Sequence, residues 1–315
     1  QLLIKEAERR GVAVELLDED DNFIRLERNN KVEYVKQATR TSLDTYIASL
    51  IMENKEVTKE VLRRAGIRVP DGKRIRSVQE GLEAFEAWQG KPLVIKPKST
   101  NFGQGISILK KVTFESYKKA VEFAFQYDRT VILEEFISGQ EYRFLVIGDE
   151  AAAVLHRVPA NVTGDGEHTV EALVRIKNQD PLRGKGYKTP LEKIALGPVE
   201  AEYLGAQGKS FQYVPDRGET VYLRENSNIS TGGDSIDYTD EMNGLYKAIA
   251  VKAAQAVGAK ICGADIIIPD IEKADREGYS VIELNFNPAL HIHDLPFKGL
   301  NRHVEDKVLD LLGFK

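Results

Sequence analysis

Residues 92–109 read PLVIKPKSTNFGQGISIL and join two short apolar segments through a glycine-containing loop. Lys96 lies at the end of the first segment, where its ammonium group would meet the oxygens of a bound phosphate. Gly103 and Gly105 lie in the loop, and glycine lets the backbone approach an anion with its N–H groups turned toward it. The stretch therefore predicts a β-hairpin whose loop closes over a phosphate-bearing ligand.

The segment after the loop excludes two common kinds of nucleotide site. P-loops and dinucleotide-binding loops lead from a strand directly into the N-terminus of a helix. Here the loop leads into the alternating segment 106–109, which is typical of a returning strand. A hairpin lid fits this order of elements, whereas a P-loop or a Rossmann site does not.

The rest of the chain mixes helices and strands without strict alternation. The apolar spacing predicts helices over 1–10, 42–65, 77–88, 114–127, 240–257 and 302–312, and strands over 12–17, 32–35, 130–135, 141–147, 151–158, 221–225, 263–268 and 279–285. Residues 160–220 are predicted to be irregular. Several strands follow one another directly and are expected to pair antiparallel, so we predict an α+β fold of two lobes.

Three oxygen-bearing side chains interrupt two apolar strands near the end of the chain. Asp265 lies in CGADIII (262–268), and Glu283 and Asn285 lie in VIELN (281–285). Alternation along a strand puts Glu283 and Asn285 on one face, and an unpaired buried carboxylate would be costly. The set predicts an all-oxygen Mg²⁺ site that bridges nucleotide phosphates. The alternative is that one carboxylate is paired with a buried lysine or arginine.

A second strand, VILEEFISGQE (131–141), ends in acidic residues and an aromatic residue. The backbone around Glu135 and Ile137 is a candidate to contact adenine, and the carboxylate of Glu141 is a candidate to hold ribose hydroxyls. The alternative is a strand followed by a solvated acidic turn. The neighbouring Lys96 and its loop favour the nucleotide interpretation.

Composition excludes several classes of protein. The 315 residues carry 44 Lys and Arg against 49 Asp and Glu, a net charge of −5, which argues against a general nucleic-acid binder. One cysteine, Cys262, excludes an internal disulfide framework and is expected to be a small core residue. No apolar run approaches the length of a membrane span, and no signal peptide is visible. We therefore expect a cytoplasmic protein with neither nucleic-acid nor membrane partners.

Taken together, these motifs resemble the ATP-grasp superfamily of carboxylate–amine ligases. The matching pattern is Lys55, Lys96 with residues 99–107, Glu134 with residues 135–141, and Asp265 with residues 283–285. The resemblance implies two lobes that clasp ATP between a Gly-rich hairpin lid and an antiparallel sheet. It divides the chain into a leading segment (1–45), an N-terminal lobe with the lid (46–135) and a C-terminal lobe with the metal and substrate sites (136–315).

The resemblance also implies roles for individual residues. Two lysines would contact the ATP phosphates, the loop would close over them, the hinge strand would hold the nucleoside, and the last carboxylates would bind Mg²⁺, or Mn²⁺ in its place. Carried over to this chain, the ATP-binding residues are Lys55, Lys96, Ser99, Gly103, Gly105, Glu134, Glu135, Ile137 and Glu141, and the metal ligands are Asp265, Glu283 and Asn285.

Further segments resemble one branch of that superfamily, the C-terminal glutathione synthetase module of bacterial bifunctional glutamate–cysteine ligase/glutathione synthetases. They are YVKQAT (34–39), MENK (52–55), RVPANV (157–162), TGDG (163–166) and ELNFNP (283–288). The ATP-grasp part of cyanophycin synthetase is similar. The resemblance implies ATP-dependent, ADP-forming ligation of γ-glutamylcysteine with glycine through an acyl phosphate. The alternatives are a cyanophycin-synthetase-like or other peptide ligase and a non-catalytic nucleotide-binding module.

Such chemistry gathers negative charge on the transferred phosphoryl group, so cationic residues are needed beside it. We expect Arg157 and Lys96 to be catalytic, and Arg143 and Arg224 to contact substrate. The alternative for each arginine is a salt bridge at the surface.

The STGG segment (230–233) is either a turn or a site where backbone N–H groups bind a substrate carboxylate. The resemblance favours Ser230, Thr231 and Gly232 as substrate contacts. His291 and His293 form a His-x-His pair that is more often structural. The expected partners are small peptide and amino-acid substrates. Because the chain begins at Gln1, we expect a module normally fused to a γ-glutamylcysteine-forming domain.

Overall fold

The computed structural model describes residues 1–99, 104–186 and 188–315. Gly103, expected in the lid, lies outside them. The chain opens with a small unit made of α1 (Leu2–Arg9) and the antiparallel strands β1 (Ala13–Asp18), β2 (Phe23–Arg28) and β3 (Lys31–Lys36). Leu3, Leu26 and Val35 of this unit share one hydrophobic cluster with Val308 and Phe314 from the end of the chain. The leading segment is thus packed into the body of the protein.

The predicted helix 42–65 is divided at Asn54 into α2 (Tyr46–Glu53) and α3 (Lys55–Arg64). Asn54 has extended backbone, φ −98° and ψ 95°, and its side chain accepts a hydrogen bond from the Val57 N–H, which caps α3. The break makes Lys55 the first residue of a helix. Ala48, Met52 and Leu62 of the two helices pack in the same cluster as Phe144 of the central sheet.

The following unit carries the hairpin predicted from residues 92–109. Its elements are β4 (Gly72–Ile75), α4 (Val78–Glu83), α5 (Phe85–Trp88), β5 (Leu93–Pro97), β6 (Ser107–Leu109), α6 (Phe114–Phe125) and β7 (Val131–Glu135). The strands pair antiparallel in the order β4-β7-β5-β6. Leu93, Ile95 and Leu133 from the sheet pack against Tyr117 and Val121 of α6.

The central sheet begins with β8 (Gln140–Ile147) and β9 (Glu150–Val158). Residues 160–220, expected to be irregular, instead contain two helices: the elements are β10 (Asn161–Thr163), α7 (Val170–Lys177), β11 (Arg183–Gly184), β12 (Leu191–Glu192), α8 (Pro198–Ala206) and β13 (Thr220–Tyr222). The expectation was wrong, and for the strands the reason is that they have only two or three residues each, too few to show alternation. They nevertheless enclose their own cluster, with Val170, Val174 and Leu204 buried.

The chain returns through β14 (Asp234–Asp237), α9 (Gly244–Val257), β15 (Ile261–Ile268), β16 (Ser280–Asn285), α10 (His291–Asp294) and α11 (Val304–Leu311). The five-stranded sheet has the order β14-β9-β8-β15-β16, and every neighbouring pair is antiparallel. Two antiparallel sheets with helices packed on them confirm the predicted α+β class. Among the described residues, no helix is long and apolar enough to span a membrane.

Candidate functional site

A cavity of about 660 Å³ lies between the four-stranded and the five-stranded sheet. Residues from both sheets, from the start of α3 and from the segment 225–230 line it. Most of the predicted site residues lie in its wall: Lys55, Lys96, Glu134, Glu135, Ile137, Glu141, Arg143, Arg157, Ser230, Asp265, Glu283 and Asn285. Side chains far apart in the sequence are thus brought to one place.

The remaining predicted residues that the structure describes do not line this cavity. Ser99 is exposed, and its N–H donates to Asp128 Oδ2 at 2.8 Å. Gly105 has φ +73°, and a side chain there would collide with Pro97 and Tyr127, so packing as well as backbone conformation requires glycine.

Arg224 is held by Glu200, whose Oε1 lies 2.5 Å from Arg224 Nη2, so the ion-pair alternative describes its environment. In the STGG segment, residues 229–231 form a short 3₁₀ helix that ends at Gly232, where φ is +93°. A side chain at Gly232 would collide with Ile194. Thr231 bonds to Asn226 (Oγ1 to Oδ1, 2.9 Å). The segment is built as a turn, with Ser230 at the cavity.

Glu134 is the buried centre of the cationic side of the cavity. Lys96 Nζ lies 2.7 Å from Glu134 Oε2, and Lys59 Nζ contacts Glu134 Oε1. Burial alone would raise the pKa of Glu134, but the charges of Lys96 and Lys59 hold it below its usual value. Burial, followed by the charge of Lys96, lowers the pKa of Lys59 to about 8. Glu134 therefore fixes the two lysines rather than offering a free carboxylate.

Sequence reasoning missed Lys59, although a signal was present. Lys59 follows Lys55 by four residues, which puts both on one face of a helix that begins at Lys55. Lys55 Nζ lies 3.7 Å from Glu283 Oε1. One helix therefore directs two ammonium groups toward two carboxylates of different sheets.

Strand register aligns the carboxylate side of the site. Arg143 of β8, Asp265 of β15 and Glu283 of β16 lie directly opposite one another across three strands. Asp265 is buried, and its Oδ2 lies 2.7 Å from Arg143 Nη2 and 3.1 Å from Arg157 Nη2; Arg143 Nε contacts Oδ1. Burial would raise the pKa of Asp265, but Arg143 and Arg157 lower it below its usual value. Asp265 is therefore paired with buried arginine, as the alternative interpretation of the sequence had it.

The three predicted metal ligands differ in their availability to a cation. The Glu283 side chain is 37% exposed, and Asn285 lines the cavity two residues further along β16. Carboxylate and amide oxygens of this kind suit Mg²⁺. Both oxygens of Asp265 contact arginine, so Asp265 fits a metal only if it shares an oxygen with the cation. Within the described ranges, no three His, Cys, Asp or Glu residues are grouped to hold a metal.

The hinge side of the cavity, beside residues 134–141, combines apolar residues with polar side chains. Val94, Ile106, Ile108 and Phe136 line it beside Ile137, which suits a flat aromatic ligand. The Glu135 N–H is already donated to Asp71 O at 2.9 Å. Glu141 accepts a hydrogen bond from Ser227 Oγ at 3.0 Å through Oε2, and its Oε1 contacts Arg157.

Several wall residues lie outside every predicted motif. They include Pro190, Glu192, Ala289 and residues 226–228. Asn287 also lines the cavity; it lies in the ELNFNP segment, but no role was predicted for it. His291 also lines the cavity, and burial lowers its pKa. His293 is fully buried, and burial lowers its pKa to about 3, so it is neutral. Cys262 is fully buried in the central cluster, which confirms that prediction.

Two stretches of the chain match known protein families. Residues 1–47 match the family described as ATP-grasp-like domain, and residues 61–167 match the family described as D-ala D-ala ligase C-terminus. The two matches flank the α2–α3 region and extend through β8 and β9.

Comparison with individual proteins covers nearly the whole chain. The glutathione biosynthesis bifunctional protein GshAB of Clostridium perfringens is 56% identical over 314 residues, which are 99% of this chain and 40% of that protein. The protein of the same name from Listeria innocua is 54% identical over 313 residues, 99% of this chain and 41% of that protein. The chain thus spans about two-fifths of the length of these relatives.

The crystal structure of a bifunctional glutathione synthetase from Pasteurella multocida matches the fold with a TM-score of 0.80 and 46% identity. The match covers 99% of this chain and 43% of that one. The predicted ATP-grasp fold is thereby confirmed. The chain has the ATP-grasp fold and, over 99% of its length, resembles the glutathione synthetase module of the bifunctional glutathione biosynthesis proteins.

Proposed function

We propose that this chain catalyses the ATP-dependent, ADP-forming ligation of γ-glutamylcysteine with glycine. The observation that carries the proposal is the cavity, whose wall holds Lys55 and Lys96 together with Asp265, Glu283 and Asn285 and whose volume suits a nucleotide. Similarity to proteins named for glutathione biosynthesis supports the choice of substrates.

In the proposed reaction, the terminal phosphoryl group of ATP passes to the substrate carboxylate, which gives an acyl phosphate and ADP. The amino group of glycine then attacks the acyl carbon, and inorganic phosphate leaves as the amide forms. Lys55 and Lys96 bind phosphate oxygens and orient the triphosphate. Arg157, supported by Arg143, balances charge on the transferred group and on the oxyanion.

We assign the nucleoside to the apolar hinge side, with Ile137 beside adenine and Glu141 beside ribose. Glu283 and Asn285 would hold Mg²⁺, with Asp265 sharing an oxygen. A divalent ion bound there would neutralise phosphate charge. Mg²⁺ is the proposed metal, and Mn²⁺ is the substitute to be compared with it.

We propose that the unit works beside a γ-glutamylcysteine-forming unit in the cytoplasm. The support is that the matched relatives are bifunctional and that the chain spans only two-fifths of their length. Its partners would then be small peptide and amino-acid substrates.

The test is a coupled ADP-release assay with γ-glutamylcysteine and one amine at a time: glycine, aspartate, arginine or D-alanine, each with Mg²⁺ and with Mn²⁺. We expect the fastest turnover with glycine and Mg²⁺. Turnover with another amine alone would replace the proposed substrate and point to a cyanophycin-synthetase-like or other peptide ligase. Nucleotide binding without turnover on any amine would indicate a non-catalytic module.

A further inference from the structure

The turn at residues 36–40 of the leading segment closes on itself in a strained conformation. The Lys36 N–H donates to Arg40 O at 2.9 Å, and the Arg40 N–H donates back to Lys36 O at 3.0 Å. Between them, Gln37 has φ 54° and Ala38 has φ 66°. Non-glycine residues adopt such values at a cost, so two in succession persist only where the surrounding structure holds them.

The side chains of this turn hold a residue of the cavity wall. Thr39 Oγ1 donates to Asn287 Oδ1 at 2.9 Å, and Asn287 Nδ2 donates to Gln37 Oε1 at 2.7 Å. Thr39 is fully buried. Beside this contact, the Arg40 guanidinium lies 4.5 Å from the centre of the Phe286 ring. The turn therefore fixes the orientation of the Asn287 amide and contacts the preceding residue, Phe286.

The fixed amide retains unused hydrogen-bonding capacity. An asparagine side chain has two N–H donors and an oxygen with two lone pairs, and the turn uses one of each. Asn287 lines the cavity two residues beyond Asn285. The lining lysines and arginines already lie within ion-pair distance of protein carboxylates: Lys55, Lys96, Arg143 and Arg157. A neutral N–H donor in the wall suits the carboxylate of an amino-acid substrate.

We propose that Gln37 and Thr39 are positioning residues that orient Asn287, whose free N–H binds the carboxylate of the amine substrate. This inference rests on the proposed function. It makes the leading segment part of substrate recognition, and it gives the YVKQAT segment (34–39) a role that nucleotide binding does not explain.

The test compares variants that remove or keep one hydrogen-bonding group. Thr39→Val removes the donor and keeps the shape, and we expect the KM for the amine to rise about five-fold, since one oriented hydrogen bond is lost. The KM for ATP and kcat should stay unchanged, and Thr39→Ser should restore the wild-type value. Gln37→Leu should act like Thr39→Val, and Gln37→Glu, which keeps the acceptor, should act like wild type.

The amine used is whichever of glycine, aspartate, arginine and D-alanine the wild type turns over fastest. If that amine is not glycine, the proposed substrate is wrong, while the positioning inference is tested with the amine found. If Thr39→Val does not fold, the two variants of the exposed residue Gln37 test the inference instead. A folded variant with an unchanged KM for the amine, or with an equal rise in the KM for ATP, overturns the inference. Absence of turnover with every amine overturns both proposals.

Discussion

Glu134 on β7 and Asp265 on β15 are buried carboxylates in the wall of the same cavity. Each of them is contacted by two cationic side chains of its own. Glu134 is contacted by lysines, one from a helix and one from its own sheet, whereas Asp265 is contacted by two arginines of its own sheet. A lysine confined in a buried site can release its proton, but an arginine cannot. Lys59 can therefore lose its charge when the Glu134 carboxylate is removed, whereas Arg143 and Arg157 stay charged when the Asp265 carboxylate is removed.

The largest expected effect is that of Asp265→Asn. The substitution leaves Arg143 buried without its carboxylate, and breaking a buried ion pair in this way costs about 3–5 kcal/mol. Urea unfolding monitored by circular dichroism measures the loss, and ADP release should disappear as well. Adding Arg143→Met should recover part of the stability, because an uncharged pair needs no counter-charge. A loss below that of Glu134→Gln would contradict the comparison.

Glu134→Gln should cost less, about 1–3 kcal/mol at pH 7, because Lys59 can release its proton. Burial already lowers the pKa of Lys59 to about 8, and loss of the carboxylate would lower it further. At pH 9, Lys59 is mostly neutral in both proteins, so the free energy of unfolding should differ less between wild type and variant than at pH 7. Urea unfolding at both pH values measures this difference. A gap that is constant with pH would show that Lys59 stays charged.

The sequence predicted the parts of this comparison that depend on local pattern. Lys96, Glu134, Asp265 and Glu283 are polar residues at strand positions otherwise filled by apolar ones, and strand alternation alone places them on particular faces. The charge pairing was less accessible because it depends on register between distant strands. Asp265 meets Arg143 only because β15 pairs with β8, 122 residues earlier in the chain.

The same limit applies to the cavity wall as a whole. Asn287 forms hydrogen bonds with a turn about 250 residues earlier, and no local sequence pattern predicts that contact. The segment 225–229 follows β13 and leads into the short 3₁₀ helix 229–231, outside every predicted helix. Lys59 was accessible in principle, through its spacing from Lys55. Long-range contacts and loops therefore account for most of what sequence reasoning missed.

Asp294 of α10 extends the comparison to a buried carboxylate that keeps its proton instead of gaining a cation. Its Oδ1 accepts from the Val304 N–H at 2.8 Å, and Glu305, Asp306 and His303 lie on the neighbouring segment. Burial, together with a hydrogen bond to Glu305, raises the pKa of Asp294 to about 8. No lysine or arginine among the described residues forms an ion pair with Asp294, and protonation removes its charge instead.

The smallest expected effect follows from this proton. An aspartate in the unfolded chain loses its proton near pH 4, so between there and pH 8 the folded state binds more protons than the unfolded state. The contribution of Asp294 to the free energy of unfolding is complete below pH 4 and is lost as the pH rises through 8, about 1 kcal/mol of it between pH 7 and pH 9.

Lys59, with its lowered pKa, changes the free energy of unfolding in the opposite direction over the alkaline range. The informative quantity is therefore the difference between wild type and Asp294→Asn at each pH. Urea unfolding should show the wild type losing stability relative to the variant from pH 7 to 9, and a constant difference would mean that Asp294 is charged and that some cation balances it after all.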